Sequence, residues 1–258
     1  MIDFRKIHIN DLKDKRILVT GGSTGIGAAV VKGFVAQGAR VVAHYNESSN
    51  AASALRTEAP DHIHILQGDL SQSGTATRLV EEAAKLLGGL DGLINNAGGM
   101  LGRIHSTEIG LEHYEQVMAL NARSVWEATI AAHTHLKAAG GGFVINTTSI
   151  AARNGGGNGA VLYAAAKAFV SNLTRGQAKE FVSDGIRVNA VSPGLIETAF
   201  HDRYTPPDVL ASQRITIPMG REGIPEECVG AFLFLASETL SGYVTGQIIE
   251  VNGGQLMP

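Results

Sequence analysis

The stretch Arg16-Ile17-Leu18-Val19-Thr20-Gly21-Gly22-Ser23-Thr24-Gly25-Ile26-Gly27-Ala28-Ala29-Val30-Val31 decides the fold. An apolar, β-branched run ends at Thr20, glycines stand at 21, 22, 25 and 27, and an apolar helical pattern opens directly after them. Glycine lets the chain turn tightly and brings the backbone close to a ligand. The helix that follows presents unpaired N–H groups and the positive end of its dipole. Such a turn suits an anion, and a dinucleotide pyrophosphate above all. The spacing G-x-x-x-G-x-G is not G-x-G-x-x-G, and no Gly-Lys-Ser/Thr follows, which excludes a P-loop GTPase or kinase. A purely structural glycine turn is the competing reading, and the position between strand and helix weighs against it.

The same strand-then-helix rhythm recurs along the chain. Short apolar runs at 16–20, 40–45, 62–67, 92–95, 142–148, 186–191 and 247–251 read as strands, and helical spacing predicts helices at about 24–37, 50–59, 73–87, 111–139, 161–183 and 225–236. The runs are apolar throughout rather than alternating, so the sheet is expected to be parallel and covered by helices on both faces. No linker or repeat divides the chain, and one domain over 1–258 is the simplest account. The segment 197–223 breaks the rhythm with Pro206, Pro207 and Pro218 and is expected to form a substrate lid.

Composition narrows the function. Lys and Arg number 21 against 24 Asp and Glu, a net charge of −3, which offers no general attraction to nucleic acid or to an anionic membrane. No run of 18 apolar residues occurs, and the opening residues show no export signal. With Cys228 as its one cysteine the chain makes no internal disulfide, which fits a reducing, cytoplasmic setting. The pairs His62/His64 and His133/His135 find no carboxylate to complete a metal set, so no metal is expected. Trp126, Phe232 and Phe234 are expected to fill the core or a subunit contact, and Cys228 to be an inert packing residue.

Two further sites carry chemistry. An acidic residue at the end of the second strand of a dinucleotide fold bonds the ribose hydroxyls and repels a 2′-phosphate. That strand ends His44-Tyr45-Asn46, with Tyr45 in the acid's place and Asn46, Ser48 and Ser49 able to donate hydrogen bonds, so NADP is favoured, with NAD the alternative. After the fifth strand come Thr148-Ser149 and then Tyr163 and Lys167, whose four-residue spacing puts them on one helix face. An ammonium about 4 Å from a phenol at an effective dielectric near 20 supplies up to about 4 kcal/mol, about three pKa units, making a tyrosinate accessible. Ser149 would hold the substrate oxygen while Tyr163 exchanges its proton, the geometry for hydride transfer between an alcohol carbon and nicotinamide.

Together these motifs resemble those of the short-chain dehydrogenase/reductase family over nearly the whole chain. The resemblance implies a Rossmann-type α/β fold with a doubly wound, seven-stranded parallel sheet and a reaction on a small carbonyl or secondary-alcohol substrate. It implies a catalytic set of Asn121, Ser149, Tyr163 and Lys167, with Asn121 holding a water in a proton relay through the lysine. The cofactor would be met by Gly21, Ser23, Thr24, Gly25, Ile26 and Gly27, by Tyr45 and Asn46, by Asp69 and Leu70 at the adenine, and by Asn96, Ala97 and Gly98. Tyr163, Lys167, Pro193, Gly194, Ile196 and Thr198 would complete its site. The family also implies a homotetramer, with the helices beginning near Leu111 and Val161 pairing between subunits. The interval from Ser149 to Tyr163 is one residue longer than the family's common spacing, and the glycines at 155–159 absorb it; Thr148 is the substitute hydroxyl. A 3-oxoacyl thioester reductase is the closest-looking case. A sugar, polyol or steroid dehydrogenase would carry the same motifs, and a nucleotide-sensing regulator is the non-enzymatic alternative. Met100, Leu101, Phe200 and Met219 suggest an apolar pocket wall, whereas Arg103, His105, Arg153, His201 and Arg203 suit an anionic or hydroxylated substrate.

Overall fold

Strand β1 (Arg16–Val19) is buried on both sides, Ile17 and Val19 facing one apolar layer and Leu18 the other. The computed structural model, which describes residues 2–199, 204 and 207–257, places it inside a seven-stranded sheet. The remaining strands are β2 (Arg40–Tyr45), β3 (Ile63–Gln67), β4 (Gly92–Asn95), β5 (Gly142–Thr147), β6 (Ile186–Pro193) and β7 (Ile248–Val251). Their order is β3-β2-β1-β4-β5-β6-β7 and every pairing is parallel. This is the doubly wound arrangement expected from the continuous apolar runs.

Parallel neighbours need crossovers, and helices supply them on both faces. One face carries α1 (Gly25–Ala36), α2 (Ser49–Glu58) and a late helix at Pro225–Ala236; Val30, Phe34, Leu55, Val229 and Phe232 share its apolar layer. Gly33 lets α1 approach that late helix closely, since a Cβ there would lie 2.3 Å from a Val229 methyl. The other face carries α3 (Thr75–Leu87), α4 (Leu111–Met118), α5 (Ser124–Ala138) and, after the short α6 (Ala151–Asn154), α7 (Val161–Phe181). Leu79, Val80, Ala132, Leu136 and Phe181 fill that layer. Completing the order are α8 (Pro207–Arg214), α9 (Pro225–Ala236, the late helix) and α10 (Glu238–Ser241).

The single helix expected over 111–139 is broken. A π-helical turn, Ala119–Arg123, separates α4 from α5 and contains the buried Asn121. The bonds of Asn121 explain it: its amide reaches out of the helix to Gly99. Strand β6 runs on to Pro193, two residues past its expected end, pairing with β7 as far as Pro193–Val251. Helices α6 and α8 lie in segments where glycines and prolines had pointed to irregular chain. The two ends of the expected lid meet, Glu197 N–H donating to the Gly223 carbonyl at 2.8 Å. Of the aromatic residues expected in the core or a contact, Phe232 is buried in the core, whereas Trp126 is 47 % exposed and is not a core residue.

Candidate active site

Because all strands run the same way, their C-terminal ends share one edge of the sheet, and the order reverses between β1 and β4. A crevice opens there. A cleft of about 970 Å³ runs along this edge, lined by the glycine turn at 21–27, the ends of β2 and β3, Asn96, Ala97, Gly98, Ser149, Tyr163, Lys167, Pro193, Gly194, Ile196 and Thr198.

At one end lies the cradle. Gly21 and Gly25 adopt left-handed φ of 61° and 52°, and a Cβ at Gly27 would sit 2.0 Å from the Gly21 carbonyl oxygen. Thr24 stands at the N-cap of α1 without a side-chain capping bond, leaving the first-turn N–H groups aimed at the cleft for an anion. Asn96 holds the turn from below, its Nδ2 donating to the carbonyls of Thr20 (3.2 Å) and Gly21 (3.0 Å). Thr20 Oγ1 accepts from the N–H groups of Asn96 and Ala97 at 3.0 and 3.1 Å. The cradle therefore fits a dinucleotide pyrophosphate.

Beyond it, Tyr45, Asn46, Glu47 and Ser48 line the cleft beside Asp69 and Leu70. Asp69 folds back onto Ser71, accepting from its N–H (2.9 Å) and hydroxyl (2.7 Å); these bonds outweigh burial and hold its carboxyl below the usual range. Leu70 is buried in the apolar layer beside α3. Glu47 escaped the sequence reading, although it stands two residues past Tyr45, where its signal was plain.

Further along the sheet edge, past the ends of β4 and β5, Ser149, Tyr163 and Lys167 converge. Ser149 Oγ accepts from the Ala151 N–H at 3.1 Å and is bonded to the Tyr163 hydroxyl. Thr148 instead turns its hydroxyl to the Val191 carbonyl at 3.4 Å, away from the phenol. Lys167, 2 % exposed, donates to the Thr147 carbonyl at 2.8 Å, and its Nζ lies 5.8 Å from the Tyr163 ring centre. Burial pushes the Tyr163 phenol up to about 12, against the pull of Ser149, and pushes Lys167 down to about 8. The expected ammonium-stabilised tyrosinate is thus corrected. Desolvation penalises both charged forms and exceeds the pull of Ser149 on the phenol, which keeps its proton at neutral pH.

Asn121 sits behind the cleft rather than on its wall. Its amide donates to the carbonyls of Gly99 (2.8 Å) and Val117 (2.9 Å) and accepts from the Gly99 N–H (3.0 Å). A Cβ on Gly98 would lie 2.8 Å from Asn121 Oδ1 and 3.1 Å from Lys167 Nζ, so the two groups meet across that glycine.

The cleft is further walled by Met100, Leu101, Arg103, Asn154, Tyr204, Gln213 and Gln255. Arg103 donates to the carbonyls of Tyr204 (2.6 Å) and Asn158 (2.9 Å), joining the loop after β4 to the glycine loop. Other expected wall residues lie elsewhere: Met219 is largely exposed outside the cleft, His105 caps the turn at Thr107, and Arg153 faces Glu250 at 3.5 Å. Phe200, His201 and Arg203 lie outside the described residues. Among the paired histidines, His133 meets Asp184 at 2.8 Å and His135 meets Glu81 at 3.0 Å, and no group able to hold a metal ion occurs among the described residues. No helix among them is long and apolar enough to cross a membrane.

Residues 21–255 match the model of the enoyl-(acyl carrier protein) reductase family of short-chain dehydrogenases. General stress protein 39 of Bacillus subtilis (strain 168) is 36% identical over 250 residues, 95% of this chain and 86% of that protein. The 3alpha-hydroxysteroid dehydrogenase of Mediterraneibacter gnavus is 36% identical over 246 residues, 94% of this chain and 97% of that one. The crystal structure of NADH-dependent reductase A1-R′ complexed with NAD superposes with a TM-score of 0.84 at 40% identity, covering 97% of this chain and all of the other. The chain belongs to the short-chain dehydrogenase/reductase family. It is an NAD(P)-dependent oxidoreductase whose cleft takes a nicotinamide cofactor.

Proposed function

We propose that the protein interconverts a small-molecule carbonyl and a secondary alcohol, with Tyr163 as the acid/base. The observation that carries this reading is the Tyr163 hydroxyl bonded to Ser149 in the same cleft as the glycine cradle. A nicotinamide held in the cleft would supply or accept the hydride. Ser149, fixed by the Ala151 N–H, holds the substrate oxygen; Tyr163, protonated at neutral pH, gives its proton to that oxygen as the carbonyl is reduced. Lys167 keeps a positive charge beside the phenol below pH about 8 and stabilises the tyrosinate left behind. Asn121 positions Gly99 and, across Gly98, the lysine. The glycine turn, Tyr45, Asn46, Asp69, Asn96–Gly98 and the segment Pro193–Thr198 form the cofactor's walls.

For the cofactor we assign NAD. Tyr45 lacks the repelling charge and by itself supports NADP. Glu47, however, brings a carboxylate to that rim, and the basic residues lining the described cleft, Arg103 and Lys167, both stand at the far end. Arg78, near the end of β3, is engaged by Glu82 at 2.9 Å. A 2′-phosphate would be repelled by Glu47, and Arg78 would have to leave Glu82 to compensate it. The NADH dependence of reductase A1-R′ supports the same choice. One domain with a lid at 197–223, a cytoplasmic setting and a homotetramer complete the proposal; the exposed Trp126, Ile130 and Phe169 on α5 and α7 support pairing of those helices between subunits.

The test follows NADH and NADPH absorbance with a panel of ketones, sugars and 3-oxoacyl thioesters, and the reverse reaction with alcohols, for the wild type and Tyr163→Phe. Turnover with NADH that falls by about a thousandfold or more in Tyr163→Phe, with cofactor affinity retained, supports the reading. Cofactor binding without turnover on any carbonyl or alcohol would leave the nucleotide sensor. Stronger binding of NADPH than NADH would overturn the role given to Glu47.

A further inference from the structure

We propose that His44 is a positioning residue for the cofactor: its neutral imidazole straps the glycine cradle to the adenine-side wall, so that nicotinamide-dinucleotide affinity is lost when it takes up a proton. The idea rests on the reading that the cradle holds a dinucleotide.

The imidazole of His44, on β2, is 2 % exposed and lies between the two walls. Its Nδ1 faces the N–H of Gly21, the first glycine of the cradle, at 3.1 Å. Its Nε2 faces the carbonyl of Gly68, directly before Asp69, at 2.9 Å. These partners leave one choice of tautomer. A backbone N–H can only donate, so Nδ1 accepts; a carbonyl can only accept, so Nε2 carries the hydrogen. The backbone of β2 adds a parallel tie, the His44 carbonyl accepting from the Gly22 N–H at 2.8 Å. One side chain thus bridges two segments that line opposite sides of the cleft's cofactor end.

Protonation would put a second hydrogen on Nδ1, pointing at the Gly21 N–H. Two donors would then face each other in a buried place, and the turn would have to move. Gly21 has little room to do so, since its missing Cβ already lies 2.9 Å from the Ala97 Cα. The charged groups facing His44 are Arg78 of α3, which opposes its protonation, and Asp69 after β3, which favours it; burial exceeds both and holds its pKa below the ordinary imidazole value. His64, on the same face of the sheet, pairs with Val42, two register positions back from His44. The bound pyrophosphate would attract a charged imidazole, so the sign of the pH effect separates geometry from simple charge.

The experiment is calorimetric titration of NAD and NADP, in their acid-stable oxidised forms, into the full chain at pH 7.5 and 5.0, using whichever binds the wild type more tightly, with circular dichroism confirming the fold. Wild-type affinity should weaken at the lower pH. His44→Gln, whose amide can accept and donate without titrating, should keep affinity within about threefold at pH 7.5 and show no such pH loss. His44→Leu should bind about tenfold more weakly at pH 7.5, the size of one lost buried hydrogen bond. Affinity that is flat or rises towards pH 5.0 in the wild type, or a His44→Leu variant that binds like the wild type, overturns the proposal. A wild type that binds neither dinucleotide at either pH would sink the cradle reading and the strap with it, whereas loss of turnover alone leaves the strap standing.

Discussion

The Lys167 ammonium donates to the main-chain carbonyl of Thr147 at 2.8 Å, which ties the middle of α7 to the last residue of β5. The lysine proposed to lend charge to Tyr163 therefore also fixes the helix carrying both residues against the strand that leads to Ser149. The charge is costly to keep there, because burial withdraws the ammonium from water and pushes its pKa down to about 8.

That cost gives a prediction on stability. Burial lowers Lys167 from 10.5 to about 8, so between those values the unfolded chain holds a proton that the folded chain has released. Stability from this group then rises with pH through the window from about 8 to 10.5. Lys167→Met should remove that rise, leave the melting temperature at pH 7 unchanged or higher, and reduce kcat by about a hundredfold or more. Wild-type carbonyl reduction should decline as pH passes about 8 and the ammonium is lost. Differential scanning calorimetry of both proteins from pH 7 to 10, with rate profiles, checks each part; identical pH slopes would contradict the assignment.

Gly27→Ala should abolish cofactor binding while leaving most of the fold in place. The added Cβ would have to occupy a position 2.0 Å from the Gly21 oxygen and 2.6 Å from Asn96 Nδ2, so the turn must open exactly where the pyrophosphate would rest. Gly74→Ala is the control for a surface glycine, since nothing lies within 4 Å of its Cβ position, although its φ of 79° makes it mildly destabilising. Equal cofactor affinity in the two variants, by calorimetry, would refute the cradle.

Much of this was legible in sequence because it depends on local chain chemistry. Strands at 40–45 and 92–95 were read to the residue, since β-branched runs bounded by turns have one sensible reading. The glycine turn follows from its spacing between strand and helix, whereas the Tyr163–Lys167 pair, a weak pattern by spacing alone, gains its meaning from its place after Thr148-Ser149 and downstream of that turn. What was not legible depends on tertiary contacts. Nothing in 111–139 breaks a helix; the π-turn comes from Asn121 reaching across to Gly99, in a loop distant in the chain. The pKa of Tyr163 was misjudged because spacing gives a distance to the lysine but not the burial of both groups, and burial decides the sign.

Asn121→Leu should cost both stability and turnover. It would strand the N–H and carbonyl of Gly99, both paired by the Asn121 amide in a buried setting, at about 1–3 kcal/mol for each unsatisfied group. The loop from Gly98 would then lose its hold next to Lys167. Asn121→Asp keeps the acceptor for the Gly99 N–H but sets a buried carboxylate oxygen against the Gly99 and Val117 carbonyls, and should be at least as destabilising in urea melts. A leucine variant as stable as the wild type would show that the amide does not hold the loop.

A chain of buried amides and hydroxyls links β5, which leads to Ser149, with α7, which carries Tyr163 and Lys167. Asn95 Nδ2 donates to Asn146 Oδ1 at 2.9 Å and to Thr129 Oγ1 at 3.0 Å, and Asn146 Nδ2 donates to Thr174 Oγ1 at 2.9 Å. Asn146 is on β5, three residues before Ser149, and Thr174 is on α7, seven residues past Lys167; the link therefore runs parallel to the one from Lys167 to Thr147. Thr174→Val preserves shape and removes the acceptor, leaving the Asn146 amide hydrogen unpaired, for a loss of about 1–3 kcal/mol. Because α7 then has one tether to β5 instead of two, kcat should fall severalfold while the dissociation constant for the cofactor, whose cradle lies on β1 and α1, stays unchanged. Thr174→Ser restores the hydroxyl and should recover both stability and kcat. A valine variant that loses stability with kcat intact would confine this chain of bonds to folding, and would leave Lys167 alone in positioning α7.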